Sequence, residues 1–224
     1  GQEVPDGKVR RRGDPPHCHG RLMAPQERMA EVMRSSYGRL LAILASRTGD
    51  ILIAEDALSD AFAKALIHWP EDMPKNPEAW LLTVARNRLI DDQRRDARID
   101  FRDELPEQQE PEADNTDSPD DRLKLMFVCA HPAIDPRMHT PLMLQTVLGL
   151  DAEEIARAFL LPHTTMAKRL VRAKRKIRDT AVAFQVPEVE DLPSRLSAVL
   201  EAVYGAFSQD WMGEGPLAEE ALFL

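Results

Sequence analysis

The chain has 224 residues, with 29 Lys and Arg against 38 Asp and Glu, a formal net charge of −9, and 43% hydrophobic residues. That length suits one large domain or two small ones, and the apolar content excludes a wholly disordered chain. Aromatic residues are only 5%, Pro outnumbers Gly 17 to 10 and no long alternating Val/Ile/Thr/Tyr run occurs, which argues against a β barrel or sandwich and for an all-α fold of helices punctuated by Pro.

Residues 1–24 are polar, aperiodic and rich in Gly and Pro, with the first Met at Met23, and read as a disordered arm or an expression remnant. His17, Cys18 and His19 are adjacent there and lack the spacing of a structural metal site. Cys18 and Cys129 are too few for a disulfide framework or a zinc ribbon, which points to a reducing compartment. The longest apolar run, near Leu40–Ala45, falls far short of the roughly 18–20 residues that span a bilayer, and the N-terminus lacks a signal-peptide segment. The expected setting is cytoplasmic, with no membrane, metal or cofactor.

Residues 25–102 make the first predicted domain. Met29, Val32, Met33, Leu40, Leu41 and Leu44 recur at spacings of three and four, which predicts a helix from Pro25 to about Ser46 ended by Thr48-Gly49-Asp50. From about Leu52 to Trp69, Ala54, Leu58, Ala61, Phe62, Ala65 and Trp69 share one helical face, while Glu55, Asp56, Asp60 and Lys64 point elsewhere, where charged side chains ordinarily meet water. WPEDMPKNP, residues 69–77, carries three prolines in nine residues and is a loop. Asn76 then caps a third helix with Pro77 at its first position and Leu81, Val84, Ala85 and Leu89 as the buried stripe.

The basic residues of that third helix, Arg86, Arg88, Arg94, Arg95, Arg98 and Arg102, are interleaved with Asp91, Asp92, Asp96 and Asp100, which alone suits a salt-bridged surface. Trp69 and Trp80, however, bracket the loop that holds Lys75 and Asn76. Aromatic and amide groups beside arginines are what unstacked single-strand bases require. At least one of the two tryptophans is expected to anchor the core.

The stretch 103–121 has nine acids, three prolines and no Lys or Arg, so it accounts for the whole net charge and reads as a flexible, self-repelling linker. Residues 122–184 make the second predicted domain. Helical patterning runs from Arg122 to Cys129, breaks at HPAIDP and returns from Thr140 to Leu148. Asp151 with Glu154 starts a further helix in capping-box fashion; Ile155, Ala156 and Phe159 face inward, and Leu161-Pro162 turns the chain into the next helix. This is the pattern of a helix-turn-helix.

In that last helix Leu170, Ala173 and Ile177 lie within about 40° of Met166, Lys168, Arg172 and Arg175 lie on the opposite face, and Arg169 and Lys176 stand beside them. Between Lys168 and Arg178 there are seven basic residues and no acid. Such a helix fits a major groove, with its cations on phosphates and His163, Thr164 and Thr165 offered to base edges. The alternatives are a solvated basic face and a helix that docks on an acidic protein. In residues 185–224 a helix is predicted around Leu192–Phe207, with Leu192, Leu196, Val199, Leu200, Val203 and Phe207 as an apolar face expected to pack against the preceding domains, the alternative being the start of an independent extension that touches nothing upstream. The stop at Leu224 reads as a truncation.

GDILIAEDALSDAFAKALIHWP followed by NPEAWLLTVARNRLIDDQRR resembles region 2 of bacterial extracytoplasmic-function (ECF) sigma factors, of the sigma-70 type, and LDAEEIARAFLLPHTTMAKRLVRAKRKIR resembles their region 4. LMFVCAHPAIDPRMHTPLMLQTVLGL and VPEVEDLPSRLSAVLEAVYGAF resemble the subgroup with a C-terminal helical, TPR-like extension. The resemblance implies two small helical domains on a linker, no catalysis, and delivery of core RNA polymerase to promoter DNA, with a regulatory protein or anti-sigma factor as a further partner. It implies that Asp56, Asp60 and Phe62 meet the polymerase clamp helices. Lys75, Asn76 and Trp80 would capture a flipped base of the −10 element, with Arg86, Asn87, Arg88, Arg94 and Arg95 on backbone and strand-separation contacts. His163, Thr164, Thr165, Lys168, Arg169, Arg172 and Arg175 would read the −35 element. Ser59 stands where the family often has Gln. A stand-alone helix-turn-helix regulator is the rival reading, and it leaves the Trp/Arg-bearing first domain without a role. For an enzyme there is no nucleophile–base pair, phosphate loop or metal-ligand spacing.

Overall fold

A computed structural model describes residues 25–70, 72–100 and 119–210. Among them are eight α-helices and no strand: α1 Pro25–Thr48, α2 Ile51–His68, α3 Pro77–Asp100, α4 Pro119–Cys129, α5 His139–Thr146, α6 Ala152–Ala158, α7 His163–Asp179 and α8 Leu192–Asp210, with a 3-10 turn, Pro136–Met138, leading into α5. The N-terminal arm with His17, Cys18 and His19, most of the acidic stretch, and residues 211–224 lie outside the described residues. Helix α4 begins at Pro119, inside the stretch the sequence assigns to the linker. Proline is pre-organised for a first helical position, and Asp121 in the first turn sits well at the positive end of the helix dipole.

Local chemistry sets the helix ends. Gly49, at φ 68°, closes α1, and Asp50 opens α2 by accepting the N–H of Leu52 at 2.8 Å and of Ile53 at 3.4 Å. Asn76 Oδ1 accepts the Ala79 N–H at 3.1 Å at the start of α3. At α6 the capping box forms in full: Asp151 Oδ1 takes the Glu154 N–H at 2.7 Å and Glu154 Oε2 takes the Asp151 N–H at 2.9 Å. Glu78, in the first turn of α3, accepts from Ser36 at 2.5 Å and pairs with Arg39 at 2.6 Å, which fixes the start of α3 on the middle of α1.

Leu40, Leu41, Leu44, Leu58 and Leu81 fill the space between α1, α2 and α3, and Leu125, Met126, Ile134, Leu142, Met143 and Ile155 fill the second half. Helix α1 also packs on α4 and α5, α2 meets α7, and α8 lies on α5 and α4 through Val199 and Ala202. A single apolar core therefore runs through both halves.

Three apolar expectations need correction. Phe159 is 38% exposed instead of inward-facing, because α6 ends at Ala158 and the chain turns at once into Leu160, whose φ is 52°. Leu196 and Leu200 are exposed, since α8 is covered along only one side of its wide apolar stripe. The side chain of Phe207 lies outside the described residues. Val84, Leu89 and Phe62 are half-buried, at the margin of the core.

Candidate functional site

Trp69 is 2% exposed and is a core anchor, whereas Trp80 is half-buried and stands edge-on to it at 5.6 Å, with His68 at 6.5 Å. Lys75 and Asn76 are exposed in the loop beside this pair. The Asn76 amide oxygen is already committed to the cap of α3. Asn76→Ala should therefore cost about 1 kcal/mol of stability, seen as a lower melting temperature, independently of any effect on DNA.

On α2, Asp56 is exposed, and Asp60 accepts from Arg88 Nε on α3 at 2.6 Å. Arg88 also bonds Asp92, which in turn has Arg95 at 3.7 Å. Asp60 and Arg88, which the sequence assigns to different partners, thus sit on each other. Phe62 stacks on Tyr37 at 6.4 Å, and so packs between α1 and α2 as well as reaching the surface. Arg86 is half-buried, while Asn87, Arg94 and Arg95 are exposed on α3; the side chain of Arg98, and Arg102 entirely, lie outside the described residues.

Helix α7 divides as its periodicity predicts. Met166, Leu170, Ala173 and Ile177 are buried; His163, Thr164, Lys168, Arg169, Arg172 and Arg175 are exposed, and Thr165 is half-buried. The departure is Lys174, which is 5% exposed and paired with Glu55 of α2. A cleft of about 360 Å³ separates α7 from the 3-10 turn, with Arg137, Arg169, Arg172 and Lys176 on its walls and Ile134 and Met138 among its apolar lining. Four cations converging on one groove beside an exposed basic helix suit a phosphate backbone.

Residues 32–99 match the family Sigma-70 region 2. Over this stretch the chain is similar to a sigma-70 region 2 domain. The match runs from Val32 in α1 to Ile99 near the end of α3 and includes the tryptophan-bracketed loop. An uncharacterised protein of Rhizobium meliloti (strain 1021) is 34% identical over 189 residues, which cover 77% of this chain and 45% of that protein. The chain spans about half the length of this relative.

Region 2 holds two residues whose setting the sequence did not disclose. Glu55 reads as a solvated helix charge, yet it receives Lys174 from 119 residues away and the Tyr37 hydroxyl at 3.4 Å. Burial, reinforced by the Glu55 carboxylate, pushes the Tyr37 hydroxyl far above the ordinary phenol range, so it stays a donor. Beyond region 2, Arg137 was overlooked because it sits in the aperiodic break before α5, where no wheel can assign a face. Cys129 is buried against Thr146 Oγ1 at 3.4 Å, and burial pushes its thiol up to about 12, which leaves it unreactive. Among the described residues no three His, Cys, Asp or Glu side chains group as metal ligands, and no helix is long and apolar enough to cross a membrane.

Proposed function

We propose that the chain is an ECF-type sigma factor that binds core RNA polymerase in the cytoplasm and directs it to promoters. The observation that carries the reading is the match to region 2 followed, in the same chain, by a capped helix, a turn and a second helix with an exposed basic face. In this reading residues 25–102 hold and melt the −10 element and residues 122–184 read the −35 element. Asp56, Asp60 and Phe62 meet the polymerase clamp; Trp80, Lys75 and Asn76 receive a flipped base, and Arg86, Asn87, Arg88, Arg94 and Arg95 follow the strand backbone. The exposure of Asp56, Lys75 and Asn76 and the half-open ring of Trp80 support these roles. Residues 185–224 begin a helical, TPR-like extension, and an anti-sigma or other regulatory protein is the expected further partner.

Run-off transcription with core polymerase and a randomised promoter library tests the proposal. Selected promoters sharing two spaced motifs support it; duplex binding with no polymerase-dependent transcript would make the chain a stand-alone helix-turn-helix regulator. Promoter-binding titrations over a range of salt concentrations grade α7 and the cleft beside it. Lys168→Ala, Arg172→Ala or Arg137→Ala should weaken binding evenly across promoters and lower the salt slope by about one each, as loss of one phosphate contact does. Thr165→Ala or Arg169→Ala should instead relax sequence preference by about 1–3 kcal/mol at one position. His163, Thr164 and Arg175 flank these positions on the same exposed surface.

A further inference from the structure

The outer side of α7 carries one large apolar side chain among its cations. Thr164, Lys168, Val171 and Arg175 recur at spacings of four, three and four, so they form one row along the helix, on the side opposite the buried row of Met166, Leu170, Ala173 and Ile177. Val171 is 40% exposed, and among the residues of α7 no other large apolar side chain is exposed to that degree. Lys168 three positions before it, Arg172 directly after it and Arg175 four positions on are all exposed. The contacts proposed above for this helix make no use of Val171. Its β-branched side chain is a poorer helix former than Ala, Lys or Arg, and exposure to water gains it nothing. Phosphate oxygens offer it nothing either. On the floor of a major groove the base pairs present donors and acceptors, and thymine alone adds an apolar group, its C5-methyl. The long cations around Val171 can bend outward to the phosphate backbones, whereas the short valine touches only what lies directly beneath the helix.

We propose that Val171 is a specificity-determining residue that reads the C5-methyl group of one thymine in the −35 element. The inference rests on the promoter-binding reading of α7 and deepens it, by naming an apolar contact where that reading has only polar and charged ones. Discrimination comes from two sides. Thymine gains contact between its methyl group and the valine methyls, and both leave water. Cytosine or a purine at the same place would instead set a polar edge against a side chain that can neither donate nor accept, and that edge would lose its water without gaining a partner. Thr164 and Lys168 on one side and Arg175 on the other supply the polar contacts that hold α7 in register over this base.

The test replaces thymine by uracil, which lacks only the C5-methyl group and keeps the same hydrogen-bonding edge. Each thymine on either strand of the −35 element of a library-selected promoter is replaced in turn, and binding is measured with the full chain and core polymerase. The wild-type protein should lose about 4-fold in affinity at one thymine, the size of one buried methyl group. Val171→Ala should bind the thymine and uracil promoters equally at that position. Alanine is the better helix former, so the variant keeps its helix, which circular dichroism checks. Lys168→Ala should weaken binding to both promoters and leave the 4-fold ratio between them intact, as loss of a phosphate contact does. A selected −35 motif with no thymine on either strand, a wild-type protein indifferent to uracil at every position, or a penalty that persists in Val171→Ala overturns the proposal; the second result is the one expected if Val171 meets a protein partner instead of DNA. Absence of any polymerase-dependent promoter would count against the sigma factor reading. The same uracil scan on a duplex selected by the chain alone then judges Val171, and failure to select any duplex overturns its role as well.

Discussion

Gly38→Ala should destabilise the protein by about 3 kcal/mol or more, which for a chain of this size lowers the melting temperature by about 6–12 °C. The sign is opposite to the usual one, since Gly to Ala within a helix ordinarily gains up to about 1 kcal/mol. Here the new methyl would meet the Val147 carbonyl oxygen at 1.7 Å and its carbon at 2.6 Å. Both are backbone atoms, so no side chain can swing aside, and α1 has to part from α5. Gly205 in α8 supplies the control, because an added Cβ there has nothing within 4 Å. Gly205→Ala should be neutral or slightly stabilising. Equal melting temperatures for the two variants would mean that α1 and α5 are not apposed in solution.

Trp69→Ala and Trp80→Ala should separate folding from promoter opening. Trp69 is 2% exposed, so its truncation leaves a large cavity and should cost about 3–5 kcal/mol of stability. Trp80 is half-buried, and its loss removes one edge-on aromatic contact, worth about 0.5–1.5 kcal/mol beyond the buried area. Its larger effect should appear in the open complex. Stacking of an unpaired base on an aromatic ring is worth about 1–3 kcal/mol, so permanganate reactivity of melted thymines should fall about 5- to 150-fold while closed-complex binding changes little. Unchanged permanganate footprints with Trp80→Ala would remove the base-capture role.

The helices were legible because each buries one face against the rest of the molecule, so the 3.6-residue period appears in the sequence at α2, α3 and α7. Capping chemistry was equally local: Asp50, Asn76 and Asp151 bond residues two or three positions ahead. Long-range pairing was not legible. A helical wheel places Glu55 and Lys174 off the apolar stripe, and nothing in either neighbourhood says that the two will meet. Asp60 and Arg88 show the same limit at shorter range: each reads as a surface charge, and only the approach of α2 and α3 makes them a pair. Phe159 was misread because a wheel continued past Ala158 assumes helical backbone that Leu160 at φ 52° ends.

The 119 residues between Glu55 and Lys174 also have a consequence for a chain still being made. At a synthesis rate of about 5–20 residues per second, α2 waits roughly 6–24 s for α7 to exist. Its contact with α3 needs no such delay, since Asp60 and Arg88 are only 28 residues apart, and closing the shorter loop costs about 1.3 kcal/mol less in chain entropy. During the wait the nascent first half shows water the surface that will later be covered. A carboxylate and a phenol put polar groups on part of that surface, where a Leu–Leu contact in the same position would widen the apolar area that α1 leaves for α4 and α5.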